Sequence, residues 1–317
     1  MAQKTSYPSP LLRELQENGF TVIRSLLTPS ELTTLRSAAD SLTALARAGS
    51  WPYIRTVGKQ FPPWPSSPPA DGSGIWGVQH LLHPDLPPLL PQDMESKNAF
   101  LKLYFSPSIL SIAKQLLPEG TTDDDLVMEL FNMLVRPDKE FALSWHRDDI
   151  PATASAEEER QRLVLPATEP RYHTQWNLSL VDNDTSLVLV PKSHTRPRTD
   201  EERAADPFEP DMPGQLVVEL NAGDVAFYDN NILHRGVYSC RKERTTLHGS
   251  VGHVAGTSSG KRARNVLQHG VGEWVERCDF SALGERGEEA RERAEGMRER
   301  LVRMGRENKD VGFSLDG

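Results

Sequence analysis

Cysteine is nearly absent: Cys240 and Cys278 stand far apart and form no CxxC pair, so neither a disulfide framework nor a thiolate zinc site is written here. A reducing compartment suits such a chain. No apolar run approaches the roughly 18 residues that a membrane-spanning helix needs. The first residues, Met1 to Pro8, lack the apolar core of a secretory signal, and Phe313 to Gly317 match no receptor-read address. Positive charge is also short. With a formal net charge of −9, any grip on a phosphodiester backbone would have to be local, which disfavours a general nucleic-acid binder. The expectation is a soluble, cytoplasmic protein that engages neither nucleic acid nor membrane.

What is present is ordinary for a globular chain, with 37% hydrophobic and 26% charged residues. The 317 residues suit one large domain spanning 1–317. The N-terminal third reads helical apart from a short strand at Phe20 to Arg24. Thr28-Pro29-Ser30-Glu31 is a capping box with a first-turn proline, and Leu32, Leu35, Ala39 and Leu42 follow at helical spacing, which predicts a helix to about Ala48. Residues 51–94 then crowd prolines around Trp64 and glycines around Trp76, a long loop with the look of a lid.

From 126 onward the pattern turns to short β-runs: Leu126–Val135, Gln175–Val181, Leu187–Val190, Gln215–Leu220, Val225–Tyr228, Ile232–Val237 and Arg244–Val251. Seven such strands with polar or glycine-containing breaks predict an antiparallel sandwich or barrel. Glu157 to Arg160 and Arg196 to Met212 read as surface insertions. In the charged tail, 285–306, Ala290, Ala294, Met297, Leu301 and Met304 make one apolar stripe. That predicts a helix lying on the domain, with a homodimer contact as the second reading.

Nine histidines must be sorted by their companions. In Trp145-His146-Arg147-Asp148, the imidazole and carboxylate at i and i+2 point to one side of an extended segment, while Asp149 faces the other way. Two ligands of a facial triad can thus come from one stretch, with a second histidine arriving from elsewhere and three positions open. An HxD pair alone says little, since chance gives about 0.6 in a chain of this composition. A decoy, His83-Pro84-Asp85, has a central proline and no flanking strand, and reads as a turn. His234, flanked by apolar residues on a late strand, best supplies the third ligand. Ten residues on comes Arg244, costly to bury unless an anion meets it, with Thr246 on the same strand face. Its fork suits a carboxylate bidentately. Triad and clamp together describe a site for iron and a dicarboxylate.

With these features the chain resembles the phytanoyl-CoA dioxygenase family of Fe(II)/2-oxoglutarate-dependent oxygenases. The resemblance runs from Gly19-Phe20-Thr21-Val22-Ile23 to His248 and takes in the HxD pair, Leu180-Val181-Asp182, Leu189-Val190-Pro191-Lys192-Ser193-His194, Ala222-Gly223-Asp224, and His234 with Arg244. Lys192 replaces a usual glycine, and Asp184-Thr185-Ser186-Leu187 lacks a common Asn-Gly. The resemblance implies a double-stranded β-helix, the jelly roll of cupin-like proteins, with N-terminal and C-terminal helices. It also implies that His146, Asp148 and His234 hold Fe(II), that Arg244 and Thr246 clamp 2-oxoglutarate, and that O2 is the second cosubstrate. The expected outcome is oxidation, most simply hydroxylation, of a small organic or secondary metabolite, with release of succinate and CO2.

Gln175 and Asn177 share a strand face and Asn132 sits in an earlier strand; these amides are either cosubstrate contacts or satisfied structural groups. His194 reads as a turn stabiliser and His248 as a support for the site. Trp51, Trp64 and Trp76 with Arg55 and Lys59 would suit an apolar or aromatic acid as substrate, and Lys192, Arg196 and Arg198 would admit a CoA thioester. Two other classes stay open: a cupin-like metalloenzyme without 2-oxoglutarate, and a catalytically silent interaction protein on the same fold.

The choice between the two HxD pairs is directly testable. Anaerobically prepared protein should bind about one Fe(II) per chain, as a facial triad does. His146→Ala or Asp148→Ala should abolish this in a metal titration, whereas His83→Ala should not; the reverse pattern would mean that the metal uses the other pair.

Overall fold

The computed structural model describes residues 8–65, 67–90, 98–163, 171–258 and 260–309. The terminal stretches read for targeting signals, and residues 91–94 of the expected lid, lie outside the described residues. Helix α1 (Pro10–Asn18) is capped by the Ser9 hydroxyl and ends in left-handed Gly19. Strand β1 (Phe20–Ile23) leads to α2 (Pro29–Arg47), which starts at the Thr28–Glu31 capping box and gives way at Ala48, as the sequence predicts. Strands β2 (Ile54–Arg55) and β3 (Gly77–Val78) precede α3 (Ala99–Tyr104) and α4 (Pro107–Leu116).

Then come β4 (Leu126–Val135), β5 (Phe141–Ala142), β6 (His173–Ser179), β7 (Asp184–Val190), β8 (Leu216–Leu220), β9 (Val225–Tyr228), β10 (Leu233–Tyr238) and β11 (Thr245–His253). Short helices α5 (Ala156–Arg162) and α6 (Asp200–Ala204) interrupt them, and α7 (Gly260–Leu267) and α8 (Glu288–Glu307) close the chain. Among β4 to β11 the strand β5, two residues long, was too short to read as a run, as were β2 and β3 before them. Among the described residues no helix is long and apolar enough to cross a membrane.

The strands form two antiparallel sheets, one ordered β1-β9-β6-β11-β4-β3-β2 and the other β5-β10-β7-β8. From β4 to β11 the chain passes repeatedly between them, which makes the core a double-stranded β-helix. Alternation along each strand sorts the faces. Trp176 and Leu178 of β6, Phe227 of β9, and Leu247 and Val251 of β11 point away from the small sheet into a core shared with α2, α4 and α8. The opposite faces carry His173, Gln175, Asn177, Tyr228, His248 and Ser250, which line a chamber between the sheets. The other end of the sandwich is closed by Leu187, Leu189, Val218, Leu220, Ala226 and Ile232.

Two expectations change and a third is met. The supposed lid is built into the large sheet: β2 and β3 extend it beyond β4, Trp51 and Trp76 are buried, and only Trp64 remains half-exposed. The α8 stripe is buried against its own chain, the first of its two readings, a helix lying on the domain. And the segments read as surface insertions are welded together by charge. Glu159 is 0% exposed, ringed by Arg147, Arg198 and Arg203, with the Arg198 Nε 2.7 Å from its carboxylate. A run of charged letters looks solvated until a folded partner supplies opposite charges on several sides.

The Lys192 departure also has a structural meaning. Its φ is +65°, in the left-handed region where glycine is free of strain and other residues are not. The turn holds because the Lys192 N–H donates to the Asn18 carbonyl at 2.9 Å and Ser193 and His194 behind it are buried. His194 acts as a turn stabiliser here, its Nε2 3.1 Å from the Gln16 carbonyl.

Removing one partner from a buried charge cluster typically costs about 3–5 kcal/mol. Glu159→Gln should therefore lower the unfolding free energy from urea titration by an amount in that range, since three guanidinium groups lose their shared carboxylate; a change within about 0.5 kcal/mol would show that the cluster is solvated.

Candidate active site

His146 follows an extended segment after β5, and His234 is the second residue of β10. The two face each other across a two-bond bridge, each N–H donating to the other's carbonyl at 3.0 Å. Their rings lie 4.4 Å apart between centroids. Each ring has its Nδ1 held by a backbone carbonyl two residues back, Ser144 at 2.7 Å and Ile232 at 2.8 Å. Those Nδ1 atoms must carry the protons, so both Nε2 lone pairs point onward. They converge on Asp148 Oδ1, at 3.7 Å from His146 and 3.8 Å from His234. All three ligand atoms lie within 4.8 Å of one another, a group able to hold a metal ion.

The supports of this triad are explicit. Arg147, between the two ligands in sequence, points the opposite way into the Glu159 cluster and donates to the carbonyls of Ser193 and Arg196, at 2.8 and 3.1 Å, and of Asn231. The Asp148 N–H donates to the Asn230 carbonyl at 2.9 Å. Gln175 donates its amide to Asp148 Oδ2 at 2.9 Å, leaving Oδ1 to the histidines. Burial acts to raise the Asp148 carboxyl, yet His234, His146 and Gln175 together hold it below the usual carboxylate range. Asp149 takes a hydrogen bond from Asn230 Nδ2 at 2.5 Å and stands outside the ligand group.

Arg244 precedes β11 and lines the chamber, 5% exposed. Its guanidinium lies 4.1 Å from the Tyr238 ring centroid, its Nε reaches Thr246 Oγ1 at 3.4 Å, and its Nη1 is buried without a hydrogen-bond partner. The Thr246 hydroxyl is committed elsewhere: it donates to Asp184 Oδ2 at 2.6 Å and does not line the chamber. Asp184, held ionised against its burial by Arg244 and by Ser186 and Thr246, gives the arginine a nearby negative charge. Thr246 therefore positions Asp184 and Arg244, and the expectation that it offers a free hydroxyl is corrected.

The other predicted amides divide. Gln175 and Asn177 line the chamber, but each faces a site side chain, Asn177 Oδ1 lying 2.9 Å from His248 Nδ1. Asn132 is a structural amide: it accepts the His80 N–H at 3.0 Å and is absent from the chamber wall. His83 is buried beside Trp51 and Trp274 and accepts the Asp85 N–H at 3.1 Å, a turn as expected. Of the three cations that would admit a CoA thioester, two are engaged internally, Arg196 with Glu202 and Arg198 with Glu159.

Sequence reasoning missed Tyr238, Asp184 and the His173–Glu129–Arg262 cluster, in which Glu129 lies 2.7 Å from His173 and 3.0 Å from Arg262. Tyr238 was within reach, because 234, 236 and 238 share one strand face. Gly236 lets its ring fold back, since a Cβ there would meet Tyr238 Cε2 at 2.7 Å. The chamber encloses about 750 Å³, ample for a dicarboxylate beside a small organic molecule. Asp148, with 32% of its side chain exposed, is reached from it.

A family profile described as phytanoyl-CoA dioxygenase (PhyH) matches residues 15–237. Among solved structures, EctD from S. alaskensis with 2-oxoglutarate and 5-hydroxyectoine is 17% identical, with 80% of this chain and 79% of that one covered and a TM-score of 0.52. The same protein with bound Fe gives 17%, 80%, 80% and 0.51. AviO1 from Streptomyces viridochromogenes Tue57 gives 18% identity, 76% and 93% coverage, and a TM-score of 0.50. At such identities the likeness is one of fold. No curated protein matches the chain by sequence.

Burial, helped by neighbouring positive groups, pushes His234 and His248 down to about 4 and His80 down to about 3. The unfolded chain, with histidines near 6.5, then binds more protons than the folded one as pH falls below about 6.5, so stability declines with acidification. Metal-free protein should lose up to about 1.4 kcal/mol per pH unit for each such histidine, read as a falling urea midpoint from pH 7 to pH 5. A flat profile would contradict neutral burial.

Proposed function

The chain belongs to the phytanoyl-CoA dioxygenase family, and from that premise we propose that this non-haem iron, 2-oxoglutarate-dependent oxygenase hydroxylates a small organic metabolite as a single cytoplasmic domain. The convergence of two Nε2 lone pairs and one carboxylate oxygen at the end of the chamber carries the reading. His146, Asp148 and His234 would hold Fe(II), a donor set suited to that ion because it leaves three positions open. Arg244 would take the far carboxylate of 2-oxoglutarate on its unpartnered Nη1. The structurally similar EctD, solved with bound Fe and with 2-oxoglutarate, supports the same assignment.

When bound, the group supplies oxidising power: O2 and 2-oxoglutarate become succinate, CO2 and one oxygen atom delivered to a C–H bond of the substrate. The protein's own work is placement. The carbonyls of Ser144 and Ile232 fix the tautomer and the aim of both imidazoles, and Gln175 fixes the rotation of Asp148. The apolar wall of Trp76, Leu130, Leu134 and Leu143 keeps water from the reacting atoms and orients the substrate.

Metal-loaded protein should gain thermal stability from 2-oxoglutarate by mass action. Truncating a charged partner costs about 2–5 kcal/mol, so Arg244→Ala should weaken 2-oxoglutarate at least about 30-fold while iron affinity hardly changes. Arg244→Lys should recover only part, having lost the fork. A metabolite screen scored by substrate-stimulated succinate release then finds the substrate. Wild-type protein that binds iron but shows no 2-oxoglutarate shift would instead point to a metalloenzyme of non-oxidative chemistry.

A further inference from the structure

The chamber holds a second buried guanidinium that the triad and the Arg244 site do not use. Arg55, at the end of β2, is 8% exposed and lines the chamber. Its stem lies across Gly77 in the paired strand, where a Cβ would meet Arg55 Cβ at 3.1 Å and Cδ at 3.2 Å. The glycine thus makes the space through which the arginine reaches inward. Its Nε donates to the Gln60 carbonyl at 3.1 Å, its Nη2 meets His269 Nδ1 at 3.1 Å, and its charge sits 5.4 Å from the Trp76 ring centroid. Every one of these partners is neutral: burial and Arg55 itself push His269 well below the usual imidazole range. Among the described residues no carboxylate pairs with Arg55. The acid that eases its burial, Asp148, is committed to the metal under the reading above. A buried cation with neutral neighbours is stable only if an anion completes it.

We propose that Arg55 is the seat for a carboxylate of the primary substrate, on a molecule whose remainder is apolar or aromatic. This rests on the proposed function, in which the two carboxylates of 2-oxoglutarate go to the metal and to Arg244, so a third anion must come from the substrate. The surfaces beside Arg55 are Phe61, Trp76, Leu134 and Leu143, which suit a hydrocarbon or ring. At the same chamber Lys261 and Arg264 add positive charge and form no ion pair among the described residues, in a chain of net charge −9. They draw an acid inward, and Arg55 receives it.

The test is calorimetric titration of iron-loaded, oxygen-free protein, with and without saturating 2-oxoglutarate. The probes are benzoate, 3-phenylpropanoate and octanoate against their neutral amides. Wild type should bind at least one acid at least about 10-fold tighter than its amide, a comparison that needs no variant. Arg55→Gln should erase that preference and Arg55→Lys should retain part of it, while 2-oxoglutarate affinity stays within about 2-fold of wild type. The proposal is overturned if wild type treats acids and amides alike, if none of the acids binds, or if Arg55→Gln weakens 2-oxoglutarate as much as Arg244→Ala, which would assign Arg55 to the cosubstrate. Failure of the proposed function reads differently: wild type would bind no 2-oxoglutarate, whatever the acid-to-amide ratio on the metal-loaded protein.

Discussion

The backbone bridge between His146 and His234 is the constraint from which the site follows. Two hydrogen bonds of 3.0 Å place two imidazoles side by side, and their Nδ1 bonds to carbonyls two residues back leave both rings one useful direction. Asp148 then needs only the alternation of an extended segment to join them. Because β10 is paired along its other edge with β7, the bridge cannot shift without moving the small sheet. Rigidity at the metal end is thus a property of backbone pairing, and side chains add aim rather than support.

Charge is distributed around this point with some care. Arg147 interrupts the ligand pair in sequence, yet alternation sends it to the far side, where Glu159 and three backbone carbonyls absorb its donors. The Glu159 cluster also takes Arg198 and Arg203, so cations that a sequence reader would assign to ligand binding are used to fasten two inserted segments. Inside the chamber, Arg244 keeps an unpartnered Nη1 and Arg55 meets only neutral hydrogen-bond partners, at separate places on the wall.

The β-helix core was legible because seven of its strands are short apolar runs with polar breaks, and the repetition of that pattern is what marks a jelly roll. The triad was legible for a local reason, the i, i+2 geometry of an extended HxD, joined to a histidine among apolar residues. Legibility fails where a side chain's partner lies far away in sequence. Thr246 looked free because Asp184, 62 positions earlier, cannot be seen from β11. Asn132 could be read as a site amide because it is a polar group in an apolar strand, and only the path of the chain at His80 shows that its carbonyl oxygen is taken. Glu159 looked solvated because four of its neighbours in sequence are charged or polar.

Gly77 also governs how the cation enters the chamber. With Arg55 Cβ at 3.1 Å, Arg55 Cδ at 3.2 Å and Gln79 Nε2 at 3.1 Å from where its own Cβ would be, any side chain at 77 presses on both neighbours. An alanine there would displace the arginine stem by a few tenths of an ångström, which turns the guanidinium without removing it. The angle of approach of that charge is thus set by a residue that has no side chain.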